Sequence, residues 1–255
     1  PPITTSSVWR SRDRGGKLIV ADPRVTPLAR TADVFLGLRP GTDSALMGTI
    51  LHLLIERDWL DHDFIETHTV GFEELASRVG ECTPRWAARI CDVPAARIGE
   101  AAELIGTADR LLSTVLQGVY QSHQATAAAV QVNNLHLIRG MLGRPGAGVL
   151  QMNGQPTAQN NRECGADGDL PGFRNWDNPA HVQQLADLWN VDVMTVPHWA
   201  PPTHAMQIMR YAETGSIGFL WISATNPAVS MPESARIRKI LTGDQCFTVV
   251  QDLFL

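Results

Sequence analysis

Cysteine is scarce in this chain. Four thiols, at positions 82, 91, 164 and 246, serve 255 residues, and no two of them form a C-x-x-C pair. Disulfide frameworks staple small secreted domains and have no place in a chain of this length. The spacing also offers no zinc or iron–sulfur ligand set within the segment. Positive charge is short as well: 21 Lys and Arg stand against 26 Asp and Glu, a net charge of −5. The basic stripe that nucleic-acid binding requires is therefore missing. No apolar run reaches the roughly 18 residues of a membrane span. The opening "PPITTSSVWRSRDRGG" lacks the apolar stretch of a signal peptide. Neither G-x-x-x-x-G-K-[ST] nor G-x-S-x-G occurs, and no G-x-G-x-x-G follows the first strand. Internal repeats and low-complexity tracts are absent too.

What is present reads as a soluble globular chain, 44% hydrophobic and 18% charged. Its length suits one large domain or two modest ones. Residues 17–24 ("KLIVADPR") and 32–43 ("ADVFLGLRPGTD") read as strands running into turns. A helix is expected over 44–58, with apolar residues at 46, 47, 50, 51, 54 and 55 and either Thr42 or Asp43 as its N-cap. Four short helices follow within 61–108. A strand over 110–118, a long helix over about 122–142 and a loop at 144–151 complete the first half. The second half predicts helices near 178–190 and 203–214, a strand in "SIGFLWISATNP", a helix in "PESARIRKILTG" and a strand in "QCFTVVQDLFL". This alternation implies an α/β fold of two Rossmann-like units with mainly parallel sheets and helices on both faces. The boundary is placed between 153 and 154, giving units 1–153 and 154–255.

One stretch fits neither period. "MNGQPTAQNNRECGADGDLPGFRNW", residues 152–176, is rich in amides and glycine and almost free of apolar residues. Loops of that length are usually functional or disordered, and the varied composition argues for a loop around a large polar ligand. In doubly wound folds ligands sit at the carboxyl ends of the strands. There the chain carries Asp22 and Arg24, then Gly41, Thr42 and Asp43, then Gln117, Gly118 and Gln121, then Asn226, and last Gln251 and Asp252. Singly these are ordinary turn and cap residues. Together they supply acceptors, donors and backbone N–H groups for a nucleotide. By contrast "DHDFIETH" (61–68) reads as an acid-capped helix rather than a metal site, His198 and His204 read as structural, and the seven tryptophans as core or interface anchors.

The blocks "GGKLIVADPRVTPLARTADVFLGLRPGTDSAL", "NNLHLIRGMLGRPGAGVLQMNGQPTAQNNRECG" and "GFLWISATNPAVSMPE…VVQDLF" resemble the molybdopterin oxidoreductases of the dimethyl sulfoxide reductase superfamily, and within it bacterial assimilatory-type nitrate reductases. The resemblance runs from about residue 15 to 255. It implies a bis(molybdopterin guanine dinucleotide) molybdenum cofactor. Asp22, Arg24, Gly41, Thr42 and Asp43 would then hold one guanosine end, and Asn226, Gln251 and Asp252 the other. Gln117, Gly118 and Gln121 would lie near a pterin, and Gly154 and Gln155 would approach the pterins and the metal. Arg162 would anchor a small planar oxyanion in the substrate funnel, with Glu163 orienting it; a guanidinium fork suits nitrate.

The resemblance implies no metal ligand in this segment. The family's 4Fe-4S cysteine motif and molybdenum ligand would lie outside it, as would the C-terminal domain. Both ends of the chain accordingly read as cuts from a longer, cytoplasmic catalytic subunit, one served by an electron donor protein or subunit. The isolated segment is expected to be inactive. Relatives commonly read "GQPNAMG" where this chain has "GQPTAQN", and "ADGDLPGFRNW" leans toward formate-dehydrogenase-like members. The alternatives are thus a formate dehydrogenase, with Arg162 holding a carboxylate, or a non-catalytic dinucleotide-binding fragment.

Overall fold

Two strands that run parallel need a crossover of about a dozen residues or more between them. Among the described residues the chain makes three such crossovers. The computed structural model describes residues 2–152, 158–166, 170–201 and 203–253. The chain divides into two compact units, Pro1–Gly154 and Gln155–Leu255.

The first unit opens with α1 (Pro2–Asp13), a helix that the sequence pattern did not suggest. Strands β1 (Ile19–Ala21) and β2 (Val34–Leu36) follow, joined by a chain that includes one 3-10 turn. Helices α2 (Asp43–Glu56), α3 (His62–His68), α4 (Phe72–Val79), α5 (Pro84–Cys91) and α6 (Ala95–Thr107) come next. Then β3 (Leu112–Val115), α7 (Gln117–Tyr120), α8 (Ala125–Ile138) and β4 (Gly148–Gln151) close the unit. β1 pairs with β2 and β3 with β4, both in parallel.

Helix α2 is the hub. Leu46, Ile50, Leu51, Leu53 and Leu54 are all buried, together with Gly48 and Thr49. A helix apolar on more than one face belongs inside, and α2 packs against α4, α5, α6 and α8. Thr49 meets its burial by donating its hydroxyl to the Ala45 carbonyl at 3.0 Å. Beside this core, Trp59 packs against Gly106 of α6, where even a methyl group would overlap the indole. The Arg57 guanidinium stands 5.0 Å from the indole's centroid.

A second polar side chain, this one titratable, enters the interior. His136 of α8 is fully buried, and its Nε2 shares a hydrogen bond of 2.9 Å with Ser113 Oγ of β3. Its Nδ1 has no partner. Burial pushes its pKa down to about 4, so the fold holds the neutral ring. An unfolded histidine titrates near 6.5 and binds its proton first. Stability from this site is complete above about pH 6.5 and is lost as pH falls toward 4, by about 3 kcal/mol in all. Urea midpoints at pH 7.5 and 4.5 should show that loss, and His136→Gln should flatten the profile.

The second unit holds α9 (Ala158–Glu163), α10 (Pro179–Trp189), α11 (Ala205–Glu213), β5 (Phe219–Ser223), α12 (Pro227–Ser230), α13 (Ser234–Leu241) and β6 (Phe247–Gln251). β5 and β6 pair in parallel, from Phe219 opposite Phe247 to Ser223 opposite Gln251. One core gathers Met209, Ala212, Ile237, Ile240 and Cys246, and a separate cluster gathers Val182, Leu185, Ala186 and Val196. Arg236 clamps α11 to α13: its Nη2 donates to Glu213 Oε2 at 2.6 Å and its Nη1 to Glu233 Oε2 at 2.9 Å.

The α/β alternation is as expected, with several corrections. Each described sheet has two strands only. Residues 144–151, expected as loop, contain β4. The helix expected over about 122–142 begins at Ala125 and ends at Ile138. Within the polar stretch 152–176, α9 forms, and an antiparallel bridge joins Leu170 to Arg174. Among the tryptophans, Trp9, Trp189, Trp199 and Trp221 are exposed. Asp61 does cap α3 by accepting the Phe64 N–H at 3.0 Å. His204 caps α11, its Nδ1 accepting the Gln207 N–H at 3.3 Å.

Candidate functional site

A parallel pair releases both strands at the same end. Each ladder therefore collects whatever the sequence places after its two strands. In the first, Ala21 faces Leu36, and the Asp22 N–H adds one more bond, to the Leu36 carbonyl at 3.2 Å. The Asp22 carboxylate accepts the Arg24 N–H at 2.7 Å and forms a tight Asx turn. The Arg24 side chain extends into solvent, 83% exposed, with its Nε 3.9 Å from Asp22.

The loop after β2 leaves the same end of this ladder. Thr42 donates both its N–H (3.2 Å) and its hydroxyl (2.6 Å) to the Arg39 carbonyl. Thr42 therefore occupies the N-cap position of α2, one of the two residues expected there, but makes no side-chain bond to the helix. Gly41 makes the turn at φ +84°, a left-handed angle that favours glycine, and nothing lies within 4 Å of where a Cβ would stand. Asp43 is the first residue of α2, where the positive end of the helix favours a carboxylate. Burial nevertheless pushes its carboxyl up, against the bond from its own backbone N–H.

The second ladder ends with Val115 opposite Gln151. Gln117 and Gly118 lie in α7, and Gln121 follows directly, its N–H donating to the Gln117 carbonyl at 2.8 Å. The Tyr120 hydroxyl donates to the Met152 carbonyl at 3.1 Å and ties the two strand exits together. Tyr120, one of only two tyrosines in the chain, falls in the stretch that the sequence singles out after this strand, but no role was expected of it. Gly154 and Gln155 fall outside the described residues.

In the second unit, the Ala224 N–H donates to the Gln251 carbonyl at 3.0 Å. Ala224 takes a left-handed angle, φ +56°, which nothing in "SATNP" signals. Asn226 precedes α12. Its carbonyl accepts the Val229 and Ser230 N–H groups at 3.1 and 2.9 Å, while its side chain takes no part in the cap. Asp252 accepts the Leu253 N–H at 2.6 Å. Arg162 projects from the last turn of α9. The carbonyl of its neighbour Glu163 accepts the Gly172 N–H at 2.7 Å. The Arg174 Nη1 donates to the Pro171 carbonyl at 2.9 Å and steadies this turn.

The strands of each ladder thus end on a common rim: Asp22 and Arg24 follow β1 and Gly41, Thr42 and Asp43 follow β2, while Asn226 follows β5, Gln251 closes β6 and Asp252 comes next. Gln117, Gly118 and Gln121 line a third. These rims offer carboxylates, amides and open backbone, a donor and acceptor set suited to a large polar ligand rather than to a bare cation. Among the described residues no cluster of three or more His, Cys, Asp or Glu could hold a metal ion, and all four cysteines are free thiols.

A nitrate reductase of Synechocystis sp. is 38% identical over 239 residues, which is 93% of this chain and 33% of that protein. The alpha subunit of an F420-dependent formate dehydrogenase of Methanocaldococcus jannaschii is 32% identical over 261 residues, 100% of this chain and 37% of the subunit. The chain thus spans about a third of the length of these relatives. In structure, acetylene hydratase from Pelobacter acetylenicus superposes with a TM-score of 0.70 at 21% identity, over 97% of this chain and 36% of the hydratase. That likeness establishes the shared fold. The model of the molybdopterin oxidoreductase family matches residues 3–255, and the chain belongs to that family.

Proposed function

We propose that this chain is the cofactor-gripping part of a molybdenum oxidoreductase that reduces nitrate to nitrite by oxygen-atom transfer. The observation that carries the reading is the gathering of polar residues at the carboxyl ends of the parallel ladders. The likeness to the Synechocystis nitrate reductase supports the choice of substrate.

The residues fit a guanine dinucleotide. Asp22 and Asp43 are acceptors for the N–H groups of a guanine edge, and Arg24, exposed and paired only through its Nε with Asp22, would turn its fork to a phosphate. The unfilled space at Gly41 lets backbone approach a ligand closely. Gln117, Gly118 and Gln121 would serve a pterin, as would Gly154 and Gln155, and Asn226, Gln251 and Asp252 the second guanosine. The bound bis(molybdopterin guanine dinucleotide) molybdenum would supply the two-electron redox chemistry. Arg162 would hold the oxyanion through its planar fork, with Glu163 orienting it. A 4Fe-4S cluster and an electron donor protein or subunit outside this segment complete the reading, as does a cytoplasmic location. No helix among the described residues is long and apolar enough to cross a membrane.

Formate oxidation is the second reading. It is favoured by the 32% identity to the M. jannaschii formate dehydrogenase subunit and would have Arg162 hold a carboxylate. The decisive experiment uses the full-length protein, with molybdenum and pterin analysis and parallel assays with nitrate and formate. Molybdenum with nitrate turnover is expected. Formate turnover with no nitrate activity would install the second reading, and absence of molybdenum and pterin would remove both.

A further inference from the structure

We propose that Cys91 is a positioning residue, whose buried thiol fastens the 39–43 loop and fixes the angle at which Asp43 meets a guanine edge. The inference rests on the reading that Asp43 binds the guanosine end of the cofactor. Cys91 itself touches no ligand in this scheme.

Cys91 is the last residue of α5 and is fully buried. It holds the loop at two points. Its backbone carbonyl, one of those that a helix end leaves unpaired, accepts the Arg39 N–H at 2.8 Å. Its thiol donates to the Thr42 carbonyl, with Sγ 3.7 Å from the oxygen. Burial pushes the thiol's pKa up, so the S–H donor persists at neutral pH.

The Thr42 carbonyl carries the consequence. It also accepts the Leu46 N–H at 3.1 Å, the bond that opens α2. The carbonyl of Thr42 and the amide of Asp43 belong to one rigid peptide plane. Two donors on that oxygen, from different helices, fix the tilt of the plane from which the Asp43 side chain departs. A carboxylate that accepts two N–H groups of one base edge tolerates only about 0.5 Å of misplacement. Size matters as well. Ala87 and Cys91 stand four residues apart and are both buried in the core that α2 also builds, which favours a small side chain at 91.

The test measures binding of a fluorescent GDP to the full chain by anisotropy, with melting temperature recorded in parallel. Asp43→Ala is expected to weaken binding at least tenfold. Cys91→Ala should weaken it about fivefold, and Cys91→Ser should recover most of the loss because a hydroxyl can still donate. Cys91→Val fills the site without a donor and should behave like Cys91→Ala, which keeps the test valid if the alanine variant folds poorly. If Asp43→Ala loses affinity while Cys91→Ala and Cys91→Val bind like the parent, the positioning role is wrong and the cofactor reading stands. Equal losses in Cys91→Ser and Cys91→Ala would also overturn it. Unchanged binding in Asp43→Ala would overturn the cofactor reading, and the inference with it.

Discussion

Leu54→Ala is expected to destabilise the first unit by about 4 kcal/mol, within the range of roughly 3–5 kcal/mol for a leucine cut from a packed core. Leu54 is fully buried in α2, the helix against which α4, α5, α6 and α8 all pack. The local cost is negligible, because alanine is as good a helix former as leucine. The loss therefore reports packing alone. Against a total stability of about 5–15 kcal/mol, it is a large fraction. Urea unfolding followed by circular dichroism should show a lower midpoint with an unchanged slope. Val25→Ala is the control: Val25 is 58% exposed, and its truncation should stay within about 0.5 kcal/mol. A Leu54→Ala loss below about 1 kcal/mol would mean that α2 is not the centre of the unit.

The largest functional effect is expected at Arg162. In the full-length protein, Arg162→Ala should lower kcat/KM for nitrate by about 100- to 1000-fold, or about 3–4 kcal/mol of transition-state binding. Two charge-assisted hydrogen bonds to one oxyanion account for a loss of that size. Molybdenum and pterin content should not change, which separates a substrate anchor from a cofactor contact. Arg162→Lys keeps the charge but loses the fork, so it should recover only part of the activity. A normal KM for nitrate in Arg162→Ala would show that this guanidinium does not hold the substrate.

The fold was legible where one physical signal dominated. The apolar spacing of 46, 47, 50, 51, 54 and 55 announces α2, and Thr83-Pro84 marks the start of α5. β4 was hidden because "GVLQ" is too short to show a period and follows a glycine-rich turn. α9 was hidden for another reason: "AQNNRE" has no apolar face, and a single polar turn leaves no pattern to read. The candidate residues could be named from the sequence because they follow strands, and parallel pairing releases both strands of a ladder at one end. Their internal construction was not. Thr42 turning back to Arg39, Tyr120 reaching Met152 and Cys91 reaching Thr42 each depend on distances that only the folded chain sets. His136 looked like any helical histidine until α8 met β3.

The three crossovers differ widely in build. One is a turn-rich passage through 22–33, another carries α7 and α8, and the third carries α12 and α13. All three nevertheless deliver their two strands in register, because the ladder and not the crossover sets the alignment. Stretches remote from the strand exits, such as that between α8 and β4, should accordingly tolerate insertion of a tag or small reporter. Deleting a single residue inside β2 or β6 would be far more damaging, since it would turn that strand's side chains over to the opposite face. Evolution and engineering alike have latitude in connections that neither pack in the core nor leave a strand exit, and almost none in the strands.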